Sequence, residues 1–179
     1  MNIVQSQELY DLLCGLVAYP DEDYLNKARH CIDLLQEEHP GSVEGFRSFA
    51  SEVEKMNVTE LEEFYTRTFD INPVSALEIG WHIYGEQFER GAFLVNMREL
   101  SRILGVEESS ELPDHLTHIL TLLGRMEQED ADMFVATYLL PGLKKMLAGF
   151  AGKGNVYENA LITIRDVLAE RHIKKKGEE

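Results

Sequence analysis

The stretch ELYDLLCGLVAYP, Glu8 to Pro20, decides how the rest of the chain is read. Leu9, Leu12, Leu13, Leu16 and Val17 recur at steps of three and four residues, which gathers them on one face of an α-helix. Ser6 is placed to cap the start of this helix. Tyr19-Pro20 ends it, because the residue before a proline is driven out of the helical region.

Working outward, the same period repeats. Tyr24 to His39 reads as a second helix with Leu25, Ala28, Ile32 and Leu35 inward, stopped by Pro40-Gly41. Ser42 is expected to cap a third, carrying Val43, Phe46, Phe49 and Val53. Thr59 and Glu62 have capping-box spacing for a fourth, running to about Phe69 before the break at Asp70-Ile71-Asn72-Pro73. A fifth is expected from near Pro73 to Tyr84, with Gly85 as a left-handed C-cap. The sixth spans about Phe88 to Leu104 and ends at Gly105; an acidic loop, 106–112, follows. Pro113 suits the first turn of a seventh helix, whose stripe is Leu116, Ile119, Leu120 and Leu123. An eighth begins near Asp130 with a kink at Pro141, and Val156 to Arg171 forms a ninth after the Ala151–Asn155 turn. With no strand pair and no internal repeat, the expected fold is all-α: a single helical bundle of about nine helices over 1–173, with a flexible tail at 174–179.

The chain has 179 residues and a net charge of -15, from 32 acidic and 17 basic side chains. Positions 1–170 carry 30 acids against 13 bases. Such a field repels phosphate backbones, so nucleic acid is an unsuitable partner, whereas a basic peptide or protein surface is attracted. Cys14 and Cys31 fall on apolar helix faces, give no disulfide framework and suit a reducing cytoplasm. The N-terminus lacks the basic and apolar regions of a secretory signal. No apolar run approaches the roughly 20 residues of a membrane span, so membrane insertion is not expected.

Catalytic patterns are missing. None of the six histidines completes a Glu-x-x-His pair of the di-iron type, and no phosphate loop or Gly-x-Ser-x-Gly elbow occurs. His115 and His118, three apart, could share a helix face as metal ligands with Glu111; the plainer reading is a helix start with one half-buried histidine. Glu78 and His82 are spaced as an ordinary helical pair. A binding protein fits better than an enzyme, with no catalytic, cofactor or metal residues expected. A metal-binding bundle using His115, His118 and Glu111 is the alternative.

Two stretches stand apart: LEEFYTRTFDINPVSALEIGWHIYGEQFERG, Leu61 to Gly91, and ELPDHL, Glu111 to Leu116. In this order, on an acidic helical chain, they resemble the nitrate reductase molybdenum-cofactor assembly chaperones of the NarJ type, within the TorD- and DmsD-like maturation family. Ile83 and Thr117 are mild departures from that pattern. The resemblance implies a TorD-like helical domain without turnover, acting in the cytoplasm. The implied partner is the catalytic subunit of a molybdopterin oxidoreductase, met through its N-terminal, twin-arginine-like segment and held until the molybdenum cofactor is inserted. Nitrate reductase is the first choice of enzyme; perchlorate, selenate, dimethyl sulfoxide and hydrocarbon-oxidising relatives use similar chaperones. A monomer or a domain-swapped dimer is compatible with it.

The resemblance places Asp114 and His115 in the peptide-binding region. Asp114 is expected in the first turn of a helix, where free N–H groups favour a carboxylate. At its ordinary pKa near 6.5, His115 would titrate around neutrality. Tyr65, Trp81, His82, Tyr84 and Glu86 complete the candidate peptide-binding set, with the single tryptophan as a groove wall and Glu86 on an acidic rim. Phe69 is assigned to the core, and Arg90 to an internal anchor.

Overall fold

A computed structural model describes the backbone of residues 3–173 and the side chains from residue 7 onward. The expected tail, 174–179, lies outside the described residues. The helices are α1 (Ile3–Val17), α2 (Tyr24–Glu38), α3 (Val43–Val53), α4 (Val58–Tyr65), α5 (Ile79–Tyr84), α6 (Phe88–Ile103), α7 (Leu116–Leu123), α8 (Gln128–Phe134), α9 (Leu140–Ala148) and α10 (Tyr157–His172). Since α8 runs into α9 through a π turn, the described residues form nine helical segments, as the periodicity predicts.

The apolar stripes meet in one core, although Leu25 and Ile32, expected inward on α2, are only half-buried. Helix α1 packs on α2 and α7, α3 on α2 and α10, and α9 on α10 and α5. Leu9, Leu13, Leu16, Phe46, Phe49, Ile119, Leu120, Leu161, Ile164 and Leu168 are fully buried. Tyr157 anchors an aromatic cluster with Phe49, Phe64 and Phe69, ring centroids 4.8–5.4 Å apart. Cys31 is buried and Cys14 half-buried, both as free thiols.

Several helix ends differ from expectation. Helix α1 begins at Ile3, so Ser6 lies inside it rather than at its cap. Ser42 makes no side-chain cap, because a 3-10 turn, Pro40–Ser42, already leads the chain into α3. The capping box of α4 is Asn57 with Glu60, not Thr59 with Glu62. Asn57 accepts from the Glu60 N–H at 3.0 Å, and Glu60 accepts from the Asn57 N–H at 2.8 Å, which starts the helix two residues earlier.

Two π turns bend the bundle. Thr66–Asp70 closes α4, where the Ile71 N–H reaches the Thr66 carbonyl. Val135–Leu139 takes up the kink expected at Pro141, just before the residue that has no N–H to give. Gly105 ends α6 in a Schellman motif at φ 65°, the Val106 N–H bonding the Ser101 carbonyl at 2.9 Å. Gly85 also has positive φ, 59°, but its ψ of -128° lies outside the left-handed helical region.

Candidate functional site

Helix α5 is shorter than expected. Residues 73–78 do not continue it backward, because their backbone is committed elsewhere. The Ile79 N–H donates to the Asp114 carbonyl at 3.0 Å, and the Leu116 N–H to the Leu77 carbonyl at 2.9 Å, an isolated antiparallel bridge between Glu78 and His115. The two stretches singled out in the sequence, 61–91 and 111–116, are thereby joined.

Asp114 makes the junction. It is fully buried, and its Oδ2 accepts the Gly80 N–H at 3.0 Å. The first two N–H groups of α5 therefore both end on Asp114, one on its carbonyl and one on its carboxylate, satisfying donors that a helix start leaves unpaired. This corrects the expected placement. Asp114 and Pro113 precede α7, and Asp114 caps α5 from across the junction. Burial raises the Asp114 pKa, Arg90 opposes the shift, and Oδ1 has no hydrogen-bond partner. Gly80 permits the close approach: a Cβ there would lie 2.6 Å from Asp114 Oδ2 and 2.8 Å from the Phe93 ring.

His115 is the N-cap of α7. Its Nδ1 accepts from the Thr117 N–H at 3.3 Å and meets the Thr117 hydroxyl at 2.7 Å, so the ring proton sits on Nε2. Burial, with a smaller push from His118, lowers the His115 pKa to about 4. The ring is therefore neutral throughout the neutral range, and the titration expected there from its ordinary pKa does not occur. Its Nε2 is 4.0 Å from a Glu111 oxygen, beyond hydrogen-bond reach. His118 turns instead to Ser109, Nε2 to Oγ at 3.0 Å. Among the described residues, no group of three or more His, Cys, Asp or Glu is arranged to hold a metal ion.

Above the junction opens a cleft of about 340 Å³. One wall is the end of the first π turn and the loop after it, with Asp70, Ile71 and Pro73; another is the start of α5, with its N-cap Glu78 and with Trp81; Glu111 and His115 close it, and Arg90 reaches in from α6. Trp81 is fixed by its indole N–H, which donates to the Pro73 carbonyl at 2.8 Å, and the Arg90 guanidinium lies 5.4 Å from the ring centroid. Burial, then the charges of Glu78 and Asp70, raise the Glu111 pKa.

Of the seven candidate residues, Trp81 and His115 line this cleft, and Asp114 lies buried beneath it. Tyr65 faces the core, its hydroxyl donating to the Val17 carbonyl at 3.0 Å. His82 is half-buried and donates to the Ala76 carbonyl at 2.6 Å; Tyr84 packs on Phe93; Glu86 is exposed past the end of α5. None of these four borders the cleft. Phe69 is buried as expected but also reaches the cleft wall, and Arg90 stands against Trp81 and Asp114. Asp70, Ile71 and Glu78 were not anticipated. Ile71 carried the one usable signal, an isoleucine set between Asp70 and Asn72 in a helix break, and the structure leaves it 70% exposed.

A second concave surface lies between α6 and α8, a trough of about 480 Å³. Leu100, Leu104, Met126, Phe134 and Tyr138 line it, Ile103 and Met133 are exposed along it, and Glu127, Asp130 and Arg125 place charges of both signs at its edge.

Comparison with known proteins places this architecture. A protein of Bacillus subtilis (strain 168), described as a probable nitrate reductase molybdenum cofactor assembly chaperone, NarJ, is 25% identical over 99% of this chain and 97% of its own. A crystal structure described as a redox enzyme maturation protein, from Archaeoglobus fulgidus, superposes with a TM-score of 0.62 at 19% identity, covering 90% of this chain and 93% of that one; the fold is shared. The family model described as nitrate reductase delta subunit matches residues 33–176, and the chain belongs to that family.

Proposed function

We propose that the protein is a dedicated assembly chaperone without turnover of its own. It binds the basic N-terminal segment of a molybdopterin oxidoreductase catalytic subunit, nitrate reductase first, and holds the subunit in the cytoplasm until its molybdenum cofactor is inserted. One observation carries this reading: the two stretches that carry the family resemblance converge on a single acidic cleft. The peptide meets Trp81 and His115 there, with Asp114 holding the cleft floor. The apolar trough between α6 and α8 suits the other face of an amphipathic segment. The name of the Bacillus relative agrees with this role.

The test is affinity purification of the tagged protein from its own cells, with mass spectrometry of what is retained. A molybdopterin oxidoreductase catalytic subunit is expected, and truncating its N-terminal segment should abolish retention. Retention that survives the truncation would count against the segment as the recognised element. Recovery of no such subunit would end the chaperone reading.

A further inference from the structure

We infer that α8 is a hinged wall of the trough between α6 and α8. A latch of Asp132, His172 and Tyr10 holds it in place, and breaking the latch lets α8 swing outward and the trough widen. The device belongs to the free chain and goes beyond the proposed function, since it needs no occupant.

Apolar packing holds α8 weakly. Among the described residues, Ala131 is its one buried side chain; Met133 is 61% exposed and Phe134 half-buried along the trough. One alanine removes little apolar surface from water, and a helix of seven residues is too short to persist alone, so α8 needs another tie.

That tie is polar. Asp132 Oδ1 lies 2.8 Å from Nδ1 of His172, in the last turn of α10. A carboxylate only accepts, so Nδ1 carries the ring proton, and Nε2 accepts from the Tyr10 hydroxyl of α1. The seat of the latch is fixed. His172 and Tyr10 are buried, and Arg171, paired with Glu38 at 3.3 Å, lies 5.5 Å from the Tyr10 ring centroid. The other end rides on α8, where the Asp132 side chain is 25% exposed and the Gln128 amide donates to the same oxygen at 2.7 Å. Three helices therefore meet at one imidazole, and α8 is the one with little else to hold it.

Both ends of α8 can pivot. On the C-terminal side the π turn Val135–Leu139 leads into Pro141, whose missing N–H leaves the helical ladder one bond short. On the N-terminal side Arg125 donates to the carbonyls of Leu104 and Gly105, which ties the loop before α8 to the end of α6. Movement is thereby confined to the segment between Arg125 and the π turn. That segment carries Glu127, Asp130, Met133 and Phe134 of the trough lining.

Hydrogen exchange of the full chain, followed by mass spectrometry, reads the hinge. In the parent, the α8 amides should exchange together and faster than those of α10. Asp132→Ala should speed α8 by at least about tenfold, as expected when a charge-assisted hydrogen bond is lost from the closed state, and leave Leu161 to Leu168 of α10 unchanged. The apolar dye bis-ANS should bind the variant more tightly than the parent, and adding Ile103→Glu on the trough should cancel that gain. The inference is overturned if Asp132→Ala leaves α8 exchange as it is, if it speeds α10 equally, or if the gain in dye binding is absent or survives Ile103→Glu. Protection of α8 equal to that of α10 in the parent overturns it without any variant.

Discussion

Replacing His115 by asparagine should change how the protein responds to acid. In the folded chain the imidazole titrates at about 4, against 6.5 for an unhindered histidine, because burial penalises the cation. The unfolded chain therefore binds the proton first as pH falls. The stability tied to the neutral ring is fully present above pH 6.5 and is lost as pH drops toward 4. Between pH 7.5 and 4.5 the shift amounts to about 2.5 kcal/mol, at 1.36 kcal/mol per pH unit. Asparagine keeps an acceptor for the Thr117 N–H, and it is a favoured N-cap, but it cannot be protonated. At pH 7.5 the variant should be less stable by about 1–2 kcal/mol, for the buried ring volume it lacks. As pH falls the parent loses stability that the variant does not, and the two curves should cross before pH 4.5. Urea denaturation at several pH values measures both. Subtracting the curves removes most of what His82, His118 and His172, also depressed by burial, contribute to both proteins. A difference that stays constant from pH 7.5 to 4.5 would refute the reasoning.

Two further outcomes concern the same junction, and a third concerns the acidic surface. Gly80→Ala should lower stability by about 1–3 kcal/mol in a thermal melt, since its Cβ would lie 2.6 Å from Asp114 and 2.8 Å from Phe93. Asp114→Ala should cost about 1–3 kcal/mol by chemical denaturation, because the buried Gly80 N–H loses its acceptor. Asp114→Asn retains that acceptor and should cost less; equal losses would mean that the charge facing Arg90, not the hydrogen bond, is what matters. Binding of the catalytic subunit's N-terminal peptide, followed by calorimetry, should weaken from 0.1 M to 1 M salt, as the screening length shrinks from ~10 Å to ~3 Å. Affinity independent of salt would mean that the acidic surface serves only solubility.

The bundle was legible because helix periodicity reports burial directly: Leu9, Leu13 and Leu16, or Leu161, Ile164 and Leu168, are spaced for one face, and one face is what they bury. Helix starts were less legible, since several polar residues compete to cap one turn and only the backbone geometry decides between Asn57 and Thr59. The cleft was legible only in part. Trp81 and His115 could be picked out as the single tryptophan and as part of a recognisable block. Glu78 looked like a helical partner of His82, and its place in a bridge to residue 115 depends on a contact with no local signature. The core role of Tyr65 was hidden for a similar reason: an amphipathic ring suits a groove wall or a buried hydroxyl equally well, and the carbonyl of Val17 settles it from another helix.

The bridge between Glu78 and His115 also has a kinetic meaning. A six-residue helix is too short to persist alone, and α5 has its first two donors satisfied only by a residue 34 positions or more away. The loop that brings them together must close before those bonds repay its entropy. The cleft should therefore assemble late, after α7 has docked on α1, and open as one unit in the folded protein. The amides of Ile79, Gly80 and Leu116 would then exchange with deuterium at one common rate, faster than those of α1 and α10, and occupation of the cleft by a peptide would slow all three together.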